Sequence, residues 1–455
     1  MKNLSRSFIV ILVLSLILGM TACQQPVEEK YVPESAVALW NKIDETMNTA
    51  QSMEMRTSVV AVFYNSGYEF KMVGDAYIFA SKETHFTDSS MTISCDETSY
   101  EQTAKLMEAY YEGKMYHAGS DGTYEQKLCS TMTHDEYDQV QSGTLTEDVD
   151  LADCTSAQYT QNEDGTWILE FTGYTKKAID NMVDSFSLTQ DMLGVSIADV
   201  KVTLRANAEF LVDKMEFSFV FAADDEGLTP TFAIVAEYSG YNSAVFDATK
   251  LNTEEFTEVD DLRILESMQS ALAERQNAAS GKFTLDLKAT YQMQHQTTTS
   301  QEIDVVTYGR KNGAYYYMIT AEMGNQTFEV RYQNGEQNVT TDGQTTTASQ
   351  SEAEAKYFVD NLINTARYTS GAITDIQKLE EGVYLLIGGP KNLEQTMGLT
   401  GIEVSSAIQE CKVTFESNKL MKIENKLVIE GKYSADTITI TIESLVEFDD
   451  TTATA

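Results

Sequence analysis

The same series of landmarks runs through this chain twice, and a duplication constrains the fold more than any single motif. Gln51-Ser52 follows a helical stretch and precedes the strand-like Thr57–Phe63; Ala279-Ser280 does the same before Phe283–Leu287, at an offset of 228 residues. Glu112-Gly113 and Asp121-Gly122 return as Asn334-Gly335 and Asp342-Gly343, at offsets of 222 and 221. Thr133-His134-Asp135-Glu136 and Ser351-Glu352-Ala353-Glu354 both read as helix-capping boxes, 218 residues apart. Asp164-Gly165 before Trp167–Leu169 returns as Glu381-Gly382 before Tyr384–Leu386, and Val200–Leu204 returns as Cys411–Phe415, at 217 and 211. The landmarks keep their order and the offset only shrinks. Small deletions in a second copy leave that pattern, whereas turns recurring by chance in a β-rich chain would not keep the order.

Each copy follows one plan. It opens with an amphipathic helix whose apolar face carries Trp40, Ile43 and Met47 in the first copy and Leu265, Met268 and Leu272 in the second. Alternating strands follow, and the glycine-bearing pairs between them read as hairpin turns. Two short helices come next, one after Thr133 or Ser351, the other after the cap residues Thr175 or Asn392. The copy closes on long strands: Val200–Leu204, Lys214–Ala222 and Phe232–Tyr238, then Lys412–Glu416, Met421–Ile429 and Thr437–Phe448. The expectation is an α+β chain with domains at 35–247 and 262–450, an acidic linker at 248–261 and a tail at 451–455.

The N-terminus fixes a location. Lys2 and Arg6 precede the apolar run Phe8–Leu18, and small residues follow it, which makes a secretory signal peptide. The run is too short to span a bilayer as a mature helix. Cys23 directly after Thr21-Ala22 resembles the lipobox of bacterial lipoproteins, with Met20 where Leu is commoner. The resemblance implies cleavage of residues 1–22, a diacylglycerol thioether on Cys23 and a third acyl chain on the new amino terminus. Two or more chains hold a protein stably on a membrane. The body would then stand on the extracytoplasmic face of the cell membrane, behind a tether at 23–34.

Composition narrows the partners. With 32 Lys+Arg against 70 Asp+Glu the formal net charge is −38. Nucleic-acid binding needs cations to neutralise phosphates, so it is excluded as a class. Lying flat on an anionic membrane is excluded likewise. A hydrophobic fraction of 42% and 24 tyrosines are too rich for a disordered polyanion. Besides Cys23 the cysteines are Cys95, Cys129, Cys154 and Cys411, with no CxxC and no Cys/His metal spacing. Disulfides can form outside the cytoplasm. A Cys129–Cys154 pair and free buried thiols both fit the sequence.

Catalytic motifs are missing. His85, His117, His134 and His295 stand in no metal-ligand spacing, and there is no GxSxG, HExxH, P-loop or GxGxxG after a strand. Acid pairs such as Asp224-Asp225 and Asp449-Asp450 read as solvated turns. The expectation is no enzyme, no cofactor and no metal.

Helix, antiparallel strands, two helices and more strands behind a lipobox is a plan similar to the LolA/LppX/LprG-type lipoprotein fold. That resemblance implies, for each half, an unclosed, strongly curved antiparallel sheet, a half-barrel, with helices on its concave side. It also implies a lipid or other apolar ligand held between sheet and helices. Trp40, Ile43, Met47, Leu265, Met268 and Leu272 would line such a groove; the bland alternative is that this stripe is helix-to-sheet core. Three functions follow: a binding lipoprotein, an interaction or sensor lipoprotein with filled grooves and an envelope protein partner, or an envelope enzyme, which the missing motifs disfavour.

Overall fold

The computed structural model describes residues 33–449 apart from 66–67, 122–124, 138–153, 180–196, 222–228, 365–370, 391–401 and the single residues 295, 312, 325 and 435. Cys23, the signal sequence, Asn392 and the tail lie outside the described residues. The chain splits into two compact units, Met1–Phe256 and Thr257–Ala455.

Unit 1 begins with α1 (Ala36–Met47). Ser35, in extended backbone, caps it by accepting a hydrogen bond from the Ala38 N–H at 3.1 Å. Leu39 and Ile43, four apart and hence on one face, are fully buried. Among the described residues eleven strands follow: β1 (Ser52–Asn65), β2 (Tyr68–Ser81), β3 (His85–Cys95), β4 (Tyr100–Tyr111), β5 (Lys114–Ser120), β6 (Glu125–Thr131), β7 (Cys154–Gln161), β8 (Trp167–Tyr174), β9 (Ile197–Ala206), β10 (Val212–Phe221) and β11 (Thr231–Ser239). They pair antiparallel in the order β6-β5-β4-β3-β2-β1-β11-β10-β9-β8-β7, an unclosed sheet. Alternation sorts each strand into two faces. The inner face carries Met55, Val59, Ile78, Leu169, Phe171, Val202, Phe217 and Ile234, and α1 seats Leu39 and Ile43 in the same apolar cluster. Burying each of those two side chains contributes about 1.5–3 kcal/mol.

One patch of the outer face of β2–β6 is apolar as well, and the chain covers it with its own segment. Phe246 packs its ring 5.4 Å from Phe79, 5.3 Å from Phe86 and 5.4 Å from Tyr111. Phe256 meets Tyr116 edge-on at 5.2 Å, and the Lys250 ammonium lies 3.3 Å from the centre of the Tyr77 ring. Lys127 pairs with Glu255, and Leu251 is buried. The stretch expected as an acidic linker from residue 248 is therefore, up to Phe256, a strap on unit 1. Its two short turns, Ala248–Lys250 and Thr253–Glu255, leave no period for a sequence reading to detect.

Unit 2 opens with the two-residue strand β12 (Thr257–Glu258) and α2 (Arg263–Asn277). Its sheet strands are β13 (Ser280–Met293), β14 (Gln296–Lys311), β15 (Ala314–Met323), β16 (Gln326–Gln333), β17 (Glu336–Thr341), β18 (Gln344–Ser349), β19 (Gly371–Glu380), β20 (Val383–Pro390), β21 (Ile402–Glu416), β22 (Lys419–Tyr433) and β23 (Asp436–Asp449), with α3 (Glu352–Asn364) between β18 and β19. The order is β18-β17-β16-β15-β14-β13-β23-β22-β21-β20-β19, strand for strand that of unit 1. Glu112-Gly113 and Asn334-Gly335 form the matching hairpin turns with both residues at positive φ, 51° and 74° against 55° and 85°. That is the type I′ geometry antiparallel hairpins favour. Both capping boxes form: the backbone N–H of Thr133 donates to Glu136 at 2.9 Å and that of Ser351 to Glu354 at 2.7 Å.

Two expectations are corrected. The offset does not shrink steadily. Ala80 pairs with His85 and Tyr308 with Tyr317, so β3 and β15 match at 232 residues, because the β14–β15 hairpin is four residues longer than its counterpart. The Cys129–Cys154 pair does not form. Cys95 and Cys411 are free thiols, and Cys129 on β6 and Cys154 on β7 stand at opposite ends of the strand order of unit 1.

Candidate functional site

Of the six helix residues expected to line grooves, Ile43 and Leu272 are fully buried and Trp40 and Met47 touch the unit 1 sheet. In α1, Ile43 has no exposure, Trp40 meets Phe171 edge-on at 6.4 Å, and the Met47 sulfur accepts the Val212 N–H at 3.4 Å. In α2, Leu272 is fully buried while Leu265 and Met268 are half-buried. The Arg275 guanidinium donates to the Leu420 carbonyl at 2.6 Å, and the Tyr308 hydroxyl donates to the Arg275 carbonyl, which pins the end of that helix.

Beyond α1, the inner face of unit 1 turns polar. Directly paired residues of antiparallel strands share a face. Register therefore lines up Ala80, His85, Tyr110, Met115 and Ser130 in one row, and Ile78, Thr87, Glu108, His117 and Leu128 in the next. Ala76, Ser89, Leu106, Gly119 and Gln126 form a third. His85, Thr87, Ser89, Gln126 and Ser130 are buried. The Ser89 hydroxyl donates to the Leu106 carbonyl at 3.1 Å, and His117 Nδ1 lies 3.2 Å from Glu108 Oε1. His85 Nε2 and Thr87 Oγ1, two residues apart on one strand face, have no hydrogen-bond partner. Burial pushes the His85 imidazole down to about 4 against a smaller upward pull from Glu108, so the ring is neutral at neutral pH. Tyr137, from the helical turn after the Thr133 cap, stacks on Tyr110 at 4.6 Å, and His134 stacks on the same ring at 5.5 Å.

Unit 2 solves the matched row differently. Tyr308, Tyr317, Tyr332 and Gln337 occupy the places of Ala80, His85, Tyr110 and Met115. The Tyr317 hydroxyl donates to Gln350 Oε1 at 3.2 Å and accepts from the Gln337 amide at 2.6 Å. Tyr332 stacks on Tyr317 at 5.6 Å and Phe358 of α3 lies at 5.7 Å. Two rows away, Asp304 is buried with Oδ1 unpartnered, and burial, with Glu302 nearby, raises its carboxyl to about 6.

Chemically, the His85–Thr87 pair offers two desolvated hydrogen-bonding atoms beside a carboxylate–imidazole pair. Among the described residues no group of three or more His, Cys, Asp or Glu is placed to hold a metal ion. A cavity of about 380 Å³ lies on the outer face of unit 2 beside Asp286, Lys288, Glu410, Lys412, Glu424 and Glu443. Its charges alternate across strands and partner one another, Lys288 with Glu443 at 3.1 Å and Lys412 with Glu424 at 3.5 Å. The structure thus brings three of the four histidines to one end of the unit 1 sheet, which no spacing in the sequence signalled. Only the β3–β4–β5 register sets His85 and His117 on one face with Glu108 between them.

The chain matches no protein-family model and no curated protein. Among solved structures it is similar to a Bacteroides fragilis protein described as an outer membrane protein, with 7% identity over 88% of this chain and 98% of that one, at a TM-score of 0.20. A Nitrosomonas europaea protein described as AttH gives 7% identity over 94% and 98% at a TM-score of 0.15. The translocator domain of the autotransporter NalP from Neisseria meningitidis gives 5% identity over 90% and 92% at 0.10. At these scores none of the three assigns this chain a fold or a function.

Proposed function

We propose that the chain is a non-catalytic binding lipoprotein, anchored through Cys23 to the extracytoplasmic face of the cell membrane. Its two unclosed sheets are read as curved half-barrels of the LolA/LppX/LprG type, with helices on the concave sides. Its ligand is a lipid or other apolar molecule with a polar end. The observation that carries this reading is the inner face of unit 1, where an apolar half under α1 continues into buried polar groups with unused hydrogen-bonding capacity. Buried polar atoms in folded proteins are nearly always satisfied, so two neighbouring exceptions call for an occupant. The charge of −38 supports neither nucleic acid nor an anionic surface as partner. Native mass spectrometry of gently purified protein tests the reading: a co-purified lipid supports it, and a clean unliganded mass at full occupancy counts against it. Cys23→Ala should release the protein from the membrane fraction or leave the precursor uncleaved.

A second reading has its own observation. Leu39 and Ile43 are fully buried beneath α1, and the Tyr317–Gln337–Gln350 network closes the matched place in unit 2. Filled interiors fit an interaction or sensor lipoprotein that meets an envelope protein through its acidic surfaces. A clean unliganded mass together with a co-purified envelope protein would favour it.

A further inference from the structure

We infer that the two copies are unequal: unit 1 alone carries the ligand site, and His85 Nε2 with Thr87 Oγ1 takes an uncharged hydroxyl group at the buried end of the ligand. This rests on the binding reading above and goes further by naming the atoms and the chemistry.

His85 and Tyr317 occupy the same place in two sheets of the same strand order. Tyr317 has its hydroxyl satisfied by Gln337 and Gln350, both from its own unit. In unit 1 the residue matched to Gln337 is Met115, which cannot serve His85 in that way. His85 is 7% exposed and Thr87 2%, so neither reaches bulk water. A buried polar atom without a partner costs about 1–3 kcal/mol. At this position unit 2 avoids that cost with its own side chains, and unit 1 does not.

The inner-facing positions of β3–β6 among the described residues include no Lys or Arg, because Lys105, Lys114 and Lys127 alternate to the outer face. The charged group there is Glu108, beside His117. A carboxylate or phosphate entering this place would be desolvated next to a carboxylate with no cation to compensate it. A cationic group would have to compete with His117 for Glu108. An uncharged hydroxyl suits either tautomer of His85: it donates to an unprotonated Nε2 or accepts from a protonated one, and it pairs with the Thr87 hydroxyl in both cases. Ile78 and Leu128 flank the same row, so an apolar body fits beside the polar end.

The test uses the full-length protein with 1-oleoylglycerol and oleate as probes, read by native mass spectrometry and titration calorimetry. One equivalent of 1-oleoylglycerol should bind, at least tenfold tighter than oleate. His85→Phe and Thr87→Val should each weaken it at least fivefold, Thr87→Ser should restore it, and Tyr317→Phe should leave it unchanged. The near-isosteric Thr87→Val keeps the test valid if His85→Phe misfolds. Unchanged binding in both unit 1 variants, two equivalents bound, a loss on Tyr317→Phe, or oleate binding as tightly would each overturn this inference while leaving the binding reading standing. Wild-type protein that takes up neither probe would overturn both.

Discussion

The outer faces of the two sheets carry the same strands in the same order and opposite chemistry. In unit 1, Phe79, Phe86, Tyr111 and Tyr116 occupy β2–β5 and lie under Phe246 and Phe256 of the strap. At the matched places unit 2 carries Thr307, Met318, Gln333 and Asn338. Phe86 is 1% exposed and its counterpart Met318 is 37% exposed. The backbone ladder is therefore indifferent to which face is covered. Side chains decide that: where the sheet presents large apolar groups, the following segment is held down, because leaving them in water would cost about 25 cal/mol per Å².

Truncating the two matched residues should affect the two units most unequally. Phe86→Ala should destabilise unit 1 by about 3–5 kcal/mol, and Met318→Ala should move unit 2 by under about 1 kcal/mol. Hydrogen exchange read peptide by peptide would report each unit separately. Equal losses in both would mean that the strap contributes little to the burial of Phe86.

The inner faces predict opposite responses to acid. The His85 imidazole in the folded chain sits at about 4, below the ordinary 6.5. The unfolded chain takes up that proton first, so the stability His85 contributes is present above 6.5 and is lost as pH falls towards 4. The Asp304 carboxyl in the folded chain sits at about 6, above the ordinary 3.8. Here the folded chain takes up the proton first, so stability is gained as pH falls from 6 towards 3.8 and is lost again as pH rises through 6. Each shift corresponds to about 3 kcal/mol. Between pH 6.5 and 4, unit 1 should loosen while unit 2 tightens. His85→Phe should flatten the first trend and Asp304→Asn the second; parallel trends in the two units would contradict the assignment.

A smaller effect should be equal in both copies. Thr133→Ala and Ser351→Ala each remove one capping box and should each cost about 1 kcal/mol. A large difference between them would mean that the helix behind one cap is held mainly by tertiary contacts. The smallest effect is Lys250→Met, which removes the ammonium over the Tyr77 ring. It should cost about 0.5–1 kcal/mol in thermal denaturation and affect unit 1 only.

What the sequence determined by itself is what depends on near neighbours. The capping boxes at Thr133 and Ser351, the hairpin turns at Glu112-Gly113 and Asn334-Gly335, and the alternation of the closing strands are set within a few residues, and they were legible. Their repetition in order also announced that one plan is used twice. Only the tertiary structure decided which residues share a face across strands. Register joins His85 to Tyr110 and Glu108 to His117, and it separates Cys129 from Cys154. The strap was illegible for the same reason: its three apolar anchors, Phe246, Leu251 and Phe256, follow no helical or strand period, and their meaning lies in the distant rings they cover. Local chemistry is written in spacing, whereas a buried polar pair or a covered face depends on contacts between residues far apart in the chain, which spacing does not encode.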